Sequence, residues 1–156
     1  MRLRSIAERK RLTSNKKQGL PAMSETHQDI INVTRRLLDS IASGDWKTYS
    51  DLSDPSLSCF EPECNGHLVI GMEFHQFYFD NAPEPDRSTP PSAQNTTIAS
   101  PHVRMLGDDA AVICYVRLVQ NMDAKNGAST RECQETRVWQ RQNGDWKHVH
   151  LSLIHI

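Results

Sequence analysis

Gln134-Glu135-Thr136-Arg137-Val138-Trp139-Gln140-Arg141 is followed by Gln142-Asn143-Gly144-Asp145 and then by Trp146-Lys147-His148-Val149-His150. Asn-Gly between two runs of alternating β-branched and aromatic residues predicts a β-hairpin, because a type I′ turn needs φ > 0 at both central residues. Period 2 then puts Glu135, Arg137, Trp139 and Arg141 on one face and Thr136, Val138 and Gln140 on the other. An arginine sharing a face with a large aromatic is the feature to explain.

Upstream of the hairpin the pattern is also strand-like: Asn95–Ala99, His102–Leu106, a Gly107-Asp108-Asp109 turn, Ala110–Met122, and a turn at Lys125-Asn126-Gly127. In Ala110–Gln120, Ile113, Tyr115, Arg117 and Val119 fall on one face, so a second arginine lies on a mostly apolar strand. Before the strands come helices. Ile30, Val33, Leu37 and Ile41, with Ile31, Thr34 and Leu38, form a broad apolar stripe from Ser24. Thr26 and Asp29 suggest a capping start, and Gly44 suits the C-terminal cap. A short helix from Asp45 to about Leu52 buries Trp46 and Tyr49 and stops before Asp54-Pro55. Leu57–Phe60 is a strand, Glu61-Pro62-Glu63 a turn, and Met72–Asn81 a third helix. On that helix Phe74, Phe77 and Tyr78 are spaced to clamp a sheet, with His75 beside them. Residues 82–95, rich in proline, form a loop. Helices followed by strands indicate an α+β fold, its antiparallel sheet covered on one face by three helices.

The 156 residues suit one domain, and their net charge of -1 hides an asymmetry. Residues 1–20 hold seven basic residues against Glu8 alone, +6, which leaves −7 on the remainder. Residues 1–23 therefore read as a basic disordered arm, with a calmodulin-type segment or phosphorylation within Arg2-Leu3-Arg4-Ser5 as sharper readings. The acidic body argues against nucleic acid as a partner. No apolar run is long enough to span a bilayer as a helix, so no membrane is expected. The four cysteines form no CxxC pair and no export signal precedes them, which predicts reduced thiols in a cytoplasmic protein. Cys59, Cys64 and His67 lie close in sequence, but no fourth residue is spaced to complete a zinc set, so no metal is expected.

A guanidinium stays charged, so Arg117 and Arg137 must reach solvent, pair with a carboxylate such as Glu135, or line a polar cavity. Convergence of both with His75 would suit a small carboxylate. His75 taken alone is also readable as a packed core histidine. No nucleophile and base, phosphate loop or kinase motif accompanies them, so no catalytic residue and no cofactor are expected.

Residues 25–150 resemble the association (hub) domain of calcium/calmodulin-dependent protein kinase II. The matching stretches include Phe60-Glu61-Pro62-Glu63, Phe74-His75-x-Phe77-Tyr78-Phe79-x-Asn81, Thr96-Thr97-Ile98, Pro101-His102, Leu106-Gly107-Asp108, Tyr115-x-Arg117, Glu135-Thr136-Arg137-Val138-Trp139 and Trp146-x-x-Val149-His150. The resemblance implies a cone-shaped, curved antiparallel sheet wrapped around a long N-terminal helix, with two shorter helices, as in nuclear-transport-factor-2-like and SnoaL-like proteins. It implies a hub domain over 24–150 that assembles with itself, and with kinase subunits of the same family, into a ring of stacked dimers, commonly of twelve or fourteen subunits. It further implies a small-carboxylate pocket at His75, Arg117 and Arg137, and a kinase domain elsewhere in the full-length protein. A small-molecule enzyme or lone binding module of the nuclear-transport-factor-2-like class is the alternative. Three positions depart from the family: Gln76 and Leu153 stand where arginine is expected, and Pro83 replaces a tryptophan. Residues 151–156, Leu-Ser-Leu-Ile-His-Ile, match an in-frame translation of a sequencing-library adapter and are read as non-native, with an alternation still compatible with a strand.

Overall fold

The structure is a computed structural model and describes residues 25–82, 94–123 and 127–155. The basic arm 1–23, most of the proline-rich loop including Pro83, and the turn at Lys125-Asn126 lie outside the described residues. Helix α1 (Glu25–Ser43) and α2 (Trp46–Leu52) lead into strand β1 (Ser53–Phe60). A single 3-10 turn at Pro62–Cys64, the two-residue strand β2 (Val69–Ile70) and helix α3 (Glu73–Asp80) follow. The rest is β3 (Gln94–Met105), β4 (Ala110–Asp123), β5 (Gly127–Gln142) and β6 (Asp145–His155).

Local chemistry sets most boundaries. α1 begins at Glu25, ahead of Thr26, so the capping start read at Thr26 and Asp29 falls inside the helix. It ends where Gly44 takes φ +68°, a conformation glycine adopts without a Cβ penalty. Asp45 caps α2 by accepting from the Thr48 amide at 3.0 Å. The β5–β6 hairpin turns through Asn143 (φ 53°) and Gly144 (φ 93°), as the Asn-Gly pair predicts.

The six strands form one sheet in the order β2-β1-β6-β5-β4-β3. All neighbours are antiparallel except β1 and β6, which are parallel, with Ser58 opposite His150. Among the described strands, the β1–β6 pair is the one departure from the antiparallel pairing that the sequence predicts, since no short-range pattern encodes the meeting of two strands so distant in the chain. The two strands expected at Asn95–Ala99 and His102–Leu106 are one edge strand, β3, whose pairing shifts between Ala99 and His102. Pro101, which has no amide hydrogen to donate, sits at that irregularity, where an edge strand tolerates it.

Alternation gives the sheet a covered and an uncovered face. Ala111, Ile113, Tyr115 and Val119 of β4 and Cys133, Glu135, Arg137 and Trp139 of β5 are buried. Ile113, Tyr115 and Trp139 join Ile30, Ile31, Leu37 and Leu38 of α1 in the main core. Trp139 donates its indole hydrogen to Thr34 Oγ1 at 3.1 Å, and Thr34 donates to the Ile30 carbonyl at 2.7 Å, so both buried polar groups are satisfied. The tail read as foreign is built into the sheet. β6 runs through Leu151 and Leu153, both buried opposite Arg137 and Glu135.

The aromatic stripe of α3 is a correction. Phe77 and Tyr78 are 60% and 45% exposed, whereas His75 is buried and Phe79 packs on the core beside Trp46 and Tyr49. Phe74 keeps its expected packing role, half-buried against the cluster of Cys59, Leu151 and Leu153, but an eight-residue helix has only two turns, and His75/Phe79 at i, i+4 completes its inner face in place of Phe77 and Tyr78.

Candidate functional site

β5 and β4 carry the two arginines to the same end of the covered face. Tyr115 is opposite Glu135 and Ile113 opposite Arg137, so period 2 places Tyr115, Arg117, Glu135 and Arg137 side by side beneath the helices. Arg137 is only 1% exposed, and its charge is compensated within the protein. Its Nε and Nη2 both donate to Glu135 Oε2, at 3.0 and 2.8 Å; Nε also donates to Tyr115 Oη at 2.9 Å. Tyr115 in turn donates a short hydrogen bond to Glu135 Oε2. Arg117 Nε lies 3.2 Å from Glu135 Oε1, near enough for an ion pair but not aligned for a hydrogen bond. One carboxylate thus serves two guanidiniums.

The electrostatics follow. Burial works against ionisation of Glu135, but Arg137 and then Arg117 outweigh it and hold the carboxyl below its ordinary range. Burial likewise opposes the Arg137 charge, and Glu135 more than restores it. His148, fully buried against Trp139, is kept neutral by burial and by Arg137, so its Nε2 can accept from Arg137 Nη1 at 3.2 Å.

His75 reaches the same place from α3. Burial, then the Arg137 charge, push its pKa down to about 4, so it is neutral near pH 7. Its Nδ1 is 3.1 Å from Tyr49 Oη and 3.6 Å from Glu61 Oε1, and its Nε2 is buried without a hydrogen-bond partner. Glu61, at the end of β1, has its pKa raised chiefly by burial. The ligand atoms of Cys59, Glu61 and His75 lie within 4.8 Å of one another.

His75, Arg117 and Arg137 line one cavity of about 130 Å³, together with Tyr49, Glu61 and Leu153. That is below the roughly 300–1,000 Å³ typical of drug-sized ligands, so the space suits a molecule of a few heavy atoms. The arginines pair with Glu135 and also line this cavity. Glu61 and Tyr49 were not singled out as site residues by sequence, although Glu61 lies in the Phe60–Glu63 stretch. Gln76 is exposed and does not line the cavity, whereas Leu153 does. Of the two positions where arginine is expected, only Leu153 bears on the charge within it.

The family model for the calcium/calmodulin dependent protein kinase II association domain matches residues 26–153. The chain belongs to the association-domain family of that kinase. The delta subunit of the type II kinase from Oryctolagus cuniculus is 47% identical over 124 residues, covering 80% of this chain and 22% of the relative. The alpha chain from Drosophila melanogaster is 45% identical over 128 residues, 82% of this chain and 23% of the relative. This association domain therefore spans about a fifth of the length of the curated relatives it matches. Among solved structures, the hub homology domain from Chlamydomonas reinhardtii superposes with a TM-score of 0.77 at 42% identity, covering 84% of this chain and 98% of that one. The association domain from C. elegans gives 0.73 at 43% identity, covering 82% and 94%. A nuclear-transport-factor-2-like protein from Cytophaga hutchinsonii, 17% identical with a TM-score of 0.66 over 86% of this chain and 100% of that one, shares the fold. The α+β cone expected of the association domain is the observed architecture.

Proposed function

We propose that this chain is an assembly module that joins copies of itself, and kinase subunits of its own family, into a closed ring of stacked dimers in the cytoplasm. The observation that carries this reading is the uncovered face of the sheet. Val112, Val116 and Leu118 of β4 and Val138 of β5 alternate away from the buried residues, are half-buried, and among the described residues stand outside the core packed on α1. At the β2–β1–β6 edge Phe60, Leu68, Ile70 and Ile154 are exposed as well. Apolar surface on both a sheet face and a sheet edge favours association over a solitary life. Two kinds of contact per protomer also provide for a closed symmetric assembly. No helix among the described residues is long and apolar enough to cross a membrane.

The cavity of His75, Arg117 and Arg137 is proposed as a small-carboxylate site within that module, with Arg117 the more exposed of the two cationic groups. Light scattering on the purified chain tests the assembly. The expected mass is on the order of ten or more protomers of 17.7 kDa, and Leu118→Asp should yield smaller species with unchanged circular dichroism. A wild-type monomer or simple dimer refutes the proposal.

A further inference from the structure

Two residues of the cavity wall, Glu61 and His75, belong to a second constellation whose third member, Cys59, lies behind that wall. Cys59 is an inward residue of β1, and Glu61 follows two residues later with an extended backbone (φ -130°, ψ 156°), so both side chains project to one side. His75 meets them from α3. We infer that Cys59, Glu61 and His75 form a binding site for a divalent metal ion of the zinc class, with one coordination position open to the cavity.

The donor set is one thiolate, one carboxylate and one imidazole, the mixture of sulfur, oxygen and nitrogen that zinc accepts, and magnesium or calcium does not. Zinc–ligand bonds of about 2.0–2.3 Å in a tetrahedron place ligand atoms roughly 3.3–3.8 Å apart. The three donors, all within 4.8 Å of one another, need to close by about 1 Å, within reach of side-chain rotation. His75 faces Glu61 Oε1 with Nδ1 at 3.6 Å, so a metal held there displaces the Tyr49 Oη that lies 3.1 Å from the same nitrogen, while the other ring nitrogen, Nε2, is buried without a hydrogen-bond partner. A spare thiol stands by: Cys64 Sγ is 4.0 Å from Cys59 Sγ, close to the separation of two thiolates on one zinc, about 3.8 Å. Charge also balances. Glu61 and a Cys59 thiolate together bring two negative charges to a divalent cation, while Glu135 occupies the arginines. Three protein ligands and one open position facing a cavity is the pattern of a zinc site that exchanges a water or small anion. The histidine is not the one that sequence proximity suggests: His67 is exposed, and His75 takes its place.

Cobalt(II) titration of the metal-stripped full chain tests the site. One equivalent should produce a thiolate-to-cobalt charge-transfer band that one equivalent of zinc removes, and zinc should raise the melting temperature. Cys59→Ser combined with Cys64→Ser should lose the band, Glu61→Gln should weaken cobalt binding at least tenfold, and Cys114→Ser, at an exposed position, should change neither. Glu61 is only partly buried, so Glu61→Gln remains a fair test if the double cysteine variant fails to fold. Absence of the band at one equivalent, its survival when Cys59→Ser is combined with Cys64→Ser, or wild-type affinity in Glu61→Gln overturns the inference.

Discussion

Replacing Glu135 with glutamine should be the most damaging single-atom change in the protein. The carboxylate is 2% exposed; one oxygen takes two hydrogen bonds from Arg137 and one from Tyr115, and the other lies 3.2 Å from Arg117. Glutamine keeps the shape but removes the charge and points an amide at one guanidinium, leaving Arg137 charged, buried and unmatched. Breaking a buried ion pair from one side costs about 3–5 kcal/mol. For a domain of this size each kcal/mol is about 3–4 °C, so melting should fall by roughly 10–20 °C at fixed protomer concentration. The double variant Glu135→Leu/Arg137→Met should recover most of that loss, because a well-packed apolar pair dispenses with both desolvation penalties. The pH profile supplies a second readout. The folded pKa of Glu135 is depressed below the ordinary glutamate value of 4.5, so its contribution is fully present above that value and is lost as pH falls through the folded pKa. Glu135→Gln should therefore flatten the acid limb below about pH 4.5. A loss under about 1 kcal/mol with an unchanged acid limb would refute the keystone role.

Two further outcomes are expected. Phe77→Ala should alter protomer stability by no more than about 0.5 kcal/mol, and Phe79→Ala should cost about 3 kcal/mol; denaturant titration reads both, and the reverse order would mean that α3 packs through its other face. A small monocarboxylate at ten times its Kd should stabilise the native state by about 1.4 kcal/mol. Arg117→Ala should abolish that shift and Leu153→Arg enlarge it, while Gln76→Arg leaves it alone; equal shifts in wild type and Arg117→Ala would reduce the effect to general salt action.

The parts of this fold that sequence reveals are those governed by neighbours. Asn143-Gly144 fixes a turn, Gly44 ends a helix, and period 2 assigns Glu135, Arg137 and Trp139 to one face before any tertiary contact is known. The parts it hides depend on distant partners. β1 shows no sign of running parallel to β6, and α3 is too short for its aromatic spacing to choose between Phe77 and Phe79. The arginines were legible as groups in need of a partner because guanidinium burial is so costly. Glu61 was not, because an acid beside a turn proline looks like ordinary solvated surface until α3 folds over it.

The parallel pairing of β1 with β6 has a consequence for the newborn chain. Ser58 and His150, opposite each other in the sheet, are 92 residues apart, so at 5–20 residues per second β1 waits about 5–20 s for its neighbour to be synthesised. During that interval its sheet partner among the described residues is the two-residue β2, and the inner face that ends up under Leu151 and Leu153 stays open. The emerging polypeptide thus holds an unpaired strand next to free thiols for longer than most hairpins exist alone. Closure of the cone waits on β6, and a ribosome stalled before β6 would present a sticky edge to whatever chaperone or sister chain is nearby.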